Sequence, residues 1–138
     1  FVIILITAII HRKDVNEIVS SLQENDIHGV TVSEVIGKGL DGLNLKGNEK
    51  IDLVPKMRLE TVVLNNIERE TVVDCLRETC KDYGAGSGKV WWVPVSGVER
   101  IRTGERDEAA LKNYKIKEIK TQQNKYINEY TNEDTPSS

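Results

Sequence analysis

The chain predicts an α+β sandwich, one antiparallel sheet with two helices on one face, and three observations carry that prediction. Apolar, β-branched runs of strand length occur four times, and apolar residues recur at helical spacing twice between them. Their order is strand, helix, strand, strand, helix, strand, which is the split βαβ or ferredoxin-like arrangement βαββαβ. Finally, 138 residues suffice for one domain with a sizeable core and are too few for two ordinary ones.

The first strand is the run Phe1 to Ile10, the most apolar of the chain. It is about half the length needed to span a bilayer and lacks the basic and small-residue flanks of a signal peptide, so it is expected to be a buried strand. Val15, Ile18, Val19 and Leu22 then form one apolar stripe on a helix, opened by Asp14 and Glu17 as a capping box. His28 to Ile36 reads as the second strand. Between Gly37 and Val54 four glycines, with Asp41, Asn44, Asn48 and Asp52 among them, break any regular pattern. A connection of that length in a compact domain is usually functional or mobile.

Met57, Leu59, Val62, Val63 and Leu64 give the third strand. Asn65 and Glu68 resemble a second capping box, and Val72, Val73, Leu76 and Cys80 make the stripe of a second helix ending near Tyr83 and Gly84. Lys89 to Val95 is the fourth strand, whose adjacent Trp91 and Trp92 fall on opposite faces. One is expected in the core and the other against a neighbouring subunit or element. Val98 to Thr103 reads as a short last strand, with Arg100 and Arg102 on one face and Ile101 toward the core. With no further helix to cover the second face of the sheet, self-association is the simplest cover. Residues 112–138 form a polar tail, disordered or weakly helical, and residues 1–111 the domain.

Lysine and arginine number 19 against 22 acidic residues, a net charge of −3, which argues against non-specific nucleic-acid or membrane-surface binding. A cytoplasmic protein is expected. Cys75 and Cys80, five apart on one helix, point in different directions and read as small apolar fillers. His11 and His28 lack partners at ligand spacing, so no metal site is expected.

The chemistry concentrates in Gly84-Ala85-Gly86-Ser87-Gly88-Lys89 and Arg100-Ile101-Arg102-Thr103-Gly104-Glu105. Glycines turn backbone N–H groups toward one point, a lysine adds a point charge, and arginine forks match phosphate oxygens. The glycine run is not a Walker A loop, because Val90 follows Lys89 and the segment leads into a strand. Hairpin pairing of the last two strands is expected to bring the arginines near Lys89.

The string Val30 to Gly39, Val54-Pro55-Lys56, the glycine run with Lys89, and Arg100 to Glu105 together resemble the PII signal-transduction proteins, in order and in spacing, over about residues 3 to 111. The resemblance implies a ferredoxin-like homotrimer that binds ATP or ADP, with Mg²⁺ possible, in clefts between subunits. It implies that Gly86, Ser87, Gly88, Lys89, Arg100 and Arg102 hold the phosphates and that Thr31, Gly37, Gly39 and Val62 line the adenosine side. Lys56 matches the family's contact to 2-oxoglutarate, and residues 37–54 match the T-loop that docks on target proteins such as transporters or enzymes of nitrogen and carbon metabolism. Membrane contact would then be indirect, through a transporter.

Departures mark a divergent member. Residues 37–54 form a shorter T-loop that contains no tyrosine, serine or threonine to accept a covalent modification. They contain no glutamine either, Leu40 and Asp41 occupying its neighbourhood. Ser87 replaces the usual aspartate, and Asp82 a threonine or serine. Two other classes compete with the signalling reading. A nucleotide-processing enzyme would need a general base and metal carboxylates near the cations, and none stands out, so no catalytic residue is assigned. An RNA-binding module would need aromatic stacking positions on exposed strands, which only the tryptophans offer.

Overall fold

The computed structural model describes residues 2–38, 53–81 and 88–111. Four strands, β1 (Ile3–Ile10), β2 (Val30–Gly37), β3 (Val54–Val63) and β4 (Lys89–Val95), form one sheet in the order β2-β3-β1-β4, each antiparallel to its neighbours. Helices α1 (Val15–Glu24) and α2 (Asn66–Cys80) follow β1 and β3, and a single turn, α3 (Glu108–Leu111), comes last. The outer strand β2 lies beside β3, which follows it, whereas the outer strand β4 lies beside β1 at the other end of the sequence, and this is the expected ferredoxin-like order.

The register divides the sheet cleanly. Ile4, Ile6, Ala8 and Ile10 of β1 stand opposite Val63, Thr61, Leu59 and Met57 of β3. All but Thr61 pack into the core beneath the helices, and Thr61 is buried with its hydroxyl donating to the Gly29 carbonyl at 2.7 Å. From α1 come Ile18 and Leu22, both fully buried, with Val15 and Val19 packed at the edge, so the predicted stripe is the buried one. From α2 come Val72, Cys75 and Leu76, with Cys80 against the rim. Each such aliphatic side chain contributes about 1.5–3 kcal/mol by leaving water.

The helix starts differ from each other. At α2 the Asn65 side chain accepts the Glu68 N–H at 2.9 Å, and the Glu68 carboxylate accepts the Leu64 N–H at 2.8 Å, one residue outside the reciprocal bond of a strict capping box. Asp14 makes no such cap bond. A 3₁₀ turn over Arg12–Asp14 runs directly into α1, leaving Asp14 buried at helical dihedrals where its side chain does not reach the first-turn amides. The expected box at Asp14 and Glu17 is therefore absent.

β3 begins three residues earlier than Met57. Its ladder to β1 ends at Met57, so Val54, Pro55 and Lys56 pair with β2 alone and Pro55 leaves no bond to β1 unmade. β4 is an edge strand, and neither of its tryptophans enters the core. Trp91 is 46% and Trp92 44% exposed, because only Val90 of that strand reaches far enough under the helices. Trp92 instead lies under the Arg69 guanidinium, 4.5 Å from the ring centre. Among the described residues no helix is long and apolar enough to cross a membrane.

Candidate functional site

The face of the sheet turned away from the helices carries every described strand residue that the sequence nominates. Because Ile4, Ile6, Ala8 and Ile10 point to the core, the register puts Thr31, Lys56, Val62 and Lys89 on the opposite face, together with the α-carbon of Gly37. Thr31 stands opposite Glu60, Val62 opposite Leu5, and Lys89 opposite Ile9. Gly37 pairs with Val54, the last pair before residues 39–52.

Polarity on this face is graded along the strands. One end is apolar, with Ile3, Leu5, Val62, Val93 and Val95 adjacent. The other end, where β2 ends and β3 begins, collects Lys56, Arg58 and Lys89, with His11 against Lys56. Lys56 is 8% exposed, with its ammonium 3.2 Å from His11 Nδ1. An ammonium removed from water requires a hydrogen-bond acceptor. The lysine donates, so Nδ1 accepts and the imidazole proton sits on Nε2. Arg58 pairs with Glu60 on the same strand face at 3.1 Å, both half-exposed. Sequence reading missed His11 and Arg58. Arg58 was accessible from the period of two that starts at Lys56, whereas His11 meets Lys56 only across 45 residues of sequence.

Gly88 fixes how β4 starts at this end. Its φ is +109°, and a β-carbon there would lie 2.1 Å from the Ile9 carbonyl oxygen. No side chain fits without moving the backbone of β1 or β4, so glycine is required for Lys89 to enter its pairing with Ile9.

The arginine segment corrects the sequence reading. Val98–Thr103 belongs to a turn-closed hairpin and is not a strand beside β4; it follows Val95, at the end of β4 opposite Lys89, so the expected pairing that would bring the arginines near Lys89 within one chain is absent. Glu99 bridges Arg106, the Arg100 N–H donates to the Glu105 carbonyl, and the Gly104 N–H donates to the Arg100 carbonyl, each of the latter at 2.8 Å. Gly104, at φ +73°, makes the turn, and Asp107 clamps its base by accepting the Val98 N–H through Oδ1 and donating its own N–H to the Val98 carbonyl. Local closure wins because the partner is only a few residues away, so little loop entropy is lost. Ile101 consequently sits at the tip, 99% exposed, and not in the core.

Arg100 and Arg102 therefore differ. Arg102 is exposed on the turn. Arg100 is drawn in, its Nη2 donating to the Ala110 carbonyl at 2.9 Å and its Nε 4.0 Å from the Glu105 carboxylate. Gly39, Gly86, Ser87 and most of the segment 37–54 lie outside the described residues.

On the helix side, a cleft of about 280 Å³ opens between the C-terminal half of α2 and the start of β4, lined by Val73, Leu76, Arg77, Cys80, Lys81 and Val90 among others. Burial, followed by the negative charges of Asp14 and Glu17, raises the Cys80 thiol above its ordinary value of 9.0. Cys75 and Cys80 are both free.

The model of the family "Nitrogen regulatory protein P-II" matches residues 3–105. Nitrogen regulatory protein P-II 1 of Methanothermobacter thermautotrophicus is 36% identical over 110 residues, covering 77% of this chain and 95% of its own. Its namesake in Escherichia coli K12 is 37% identical over 110 residues, covering 77% and 97%. A crystal structure of Arabidopsis thaliana PII bound to citrate superposes with a TM-score of 0.66 at 34% identity, covering 79% of this chain and 92% of that one. A shared fold, a family match over most of the domain and this level of identity together make the chain a member of the nitrogen regulatory protein P-II family of signalling proteins.

Proposed function

We propose that the chain is an adenine-nucleotide sensor that works as a homotrimer and regulates a target protein through residues 37–54. Residues 1–111 are the signalling domain and 112–138 an appended tail. The observation that carries the reading is the placement of Thr31, Gly37, Lys56, Val62 and Lys89 on one sheet face, with the cations gathered at the end where β2 ends and β3 begins. A polyphosphate needs several donors converging from different segments. Here Lys89, with Gly88 and the neighbouring Gly86 and Ser87, comes from one copy at the start of its β4, and Arg100 and Arg102 come from the hairpin of the copy across the cleft, since within one chain that hairpin follows the opposite end of β4.

Thr31, Gly37, Gly39 and Val62 receive the nucleoside, and Lys56 holds an effector carboxylate. Effector candidates are 2-oxoglutarate and, since the Arabidopsis relative carries it, citrate. The apolar end of the same face, with Leu5, Val62, Val93 and Val95, is the surface that a second and third copy would cover. Trp91 extends that surface, and as the one aromatic placed there among the described residues it makes a poor stacking platform for RNA. The role is regulatory and not catalytic: a bound nucleotide selects among conformations of residues 37–54 to the extent that it binds them with different affinity. Mg²⁺ can accompany the phosphates.

Calorimetry with ATP, ADP and AMP, with and without Mg²⁺, 2-oxoglutarate and citrate, combined with light scattering for the mass, tests this directly. One nucleotide per protomer in a particle of three chains is the expected result. A monomer that binds no nucleotide overturns it.

A further inference from the structure

We propose that Arg100 couples the phosphate site to the C-terminal turn α3, releasing that turn when it takes hold of a phosphate. The inference rests on the nucleotide reading and adds to it a route from ligand to chain end. Two arginines two residues apart have opposite surroundings: Arg102 projects from the hairpin tip, whereas Arg100 is 24% exposed and already committed on two sides. On one side its Nη2 holds the Ala110 carbonyl, and on the other its Nε faces the Glu105 carboxylate.

A phosphate arriving at this guanidinium must contend with both. It brings negative charge to within a few ångströms of Glu105, which repels it, and charge-assisted bidentate pairing requires the fork that Ala110 now occupies. A phosphate outcompetes a neutral carbonyl for a guanidinium, because charged hydrogen bonds are about twice as strong. The contact that yields is the one to Ala110. That contact matters to α3, a single turn held otherwise by the Ala109 N–H to Arg106 and the Leu111 N–H to Asp107, at 3.2 and 3.1 Å. A helix this short has no independent stability. Arg102 captures the ligand, and Arg100 reports the capture.

The test is limited trypsin digestion followed by mass spectrometry of cleavage after Lys112, on the full chain, with ATP binding measured in parallel by calorimetry. Saturating ATP should speed that cleavage several-fold. Arg100→Ala should show the faster rate without ATP and no further response to it. Arg102→Ala should weaken ATP binding while keeping the slow rate without ATP. Glu105→Gln, which removes the repulsion but keeps the hairpin, should tighten ATP binding about two- to fivefold, the range for one partly exposed charge pair. ATP that binds yet leaves cleavage unchanged or slower overturns the coupling alone. ATP that does not bind removes the nucleotide reading and this inference with it. An Arg100→Ala rate equal to the unmodified chain's would show that Arg100 does not hold α3.

Discussion

The two faces of one sheet are made by the same strands and do opposite things. On the helix face, Ile4, Ile6, Ala8, Ile10, Leu59 and Val63 are buried almost completely. On the other face, one residue along each strand, Thr7, Lys56, Arg58, Glu60 and Lys89 bring a hydroxyl and charges, and aliphatic residues such as Leu5, Val62 and Val93 gather at one end. A strand's period of two makes this separation possible: alternate residues of the same strand face the helices or the open side. Substitutions on the two faces should therefore fail in different ways.

The largest effect belongs to the helix face. Ile6→Ala, at a fully buried position between β3 and β4, should cost about 2–5 kcal/mol in chemical denaturation through lost transfer energy and a cavity. Nucleotide affinity per folded molecule should stay the same. A loss below about 1 kcal/mol would mean that the helices do not close that face tightly.

Gly88→Ala breaks the separation on purpose, since this residue serves both folding and site. The positive φ and the 2.1 Å approach to the Ile9 carbonyl should cost on the order of 1–3 kcal/mol and shift Lys89 out of register, so melting temperature and nucleotide affinity should fall together. Affinity retained at full strength would exclude Lys89 from the phosphate site. Asn65→Ala should cost about 1 kcal/mol through loss of the bond to the Glu68 N–H, with no effect on ligand binding.

How far the sequence foretold these features follows the range of the interactions. The four strands, the stripes of α1 and α2 and the cap at Asn65 rest on neighbours within one or two turns, and they appear where periodicity puts them. The failures are where a distant or a competing partner decides. Asp14 lost its cap to a 3₁₀ turn, Val98–Thr103 closed on itself through Gly104, and both tryptophans were left at an edge whose core reach ends at Val90. Glycine-run and arginine motifs were visible as chemistry, but the difference between Arg100 and Arg102 depends on Ala110 and Glu105, and no spacing rule announces it.

Lys56→Met examines the open face. Its ammonium is nearly buried with His11 as acceptor, so an isosteric apolar chain removes a desolvation cost along with a hydrogen bond, and stability should move by less than about 1 kcal/mol. Binding of a dicarboxylate, titrated by calorimetry in the presence of nucleotide, should disappear. Unchanged dicarboxylate affinity would place the effector elsewhere.

The smallest effect lies at the rim between helix layer and solvent. Cys80 keeps its proton more tightly than an ordinary thiol because burial, and then Asp14 and Glu17, penalise the thiolate. At pH 8 its alkylation by iodoacetamide should be slower than that of the unfolded chain and should rise as pH passes 9.0. The sign for stability follows from the same shift. The folded chain binds this proton better than the unfolded one, so the contribution is constant below 9.0 and is lost as pH climbs from there through the raised folded value. Cys75, buried in the core and accepting from Asn25 Nδ2 at 3.6 Å, should react only on unfolding. If both cysteines react at one rate, the rim and the core of the helix face open together, and the graded burial along α2 has no dynamic counterpart.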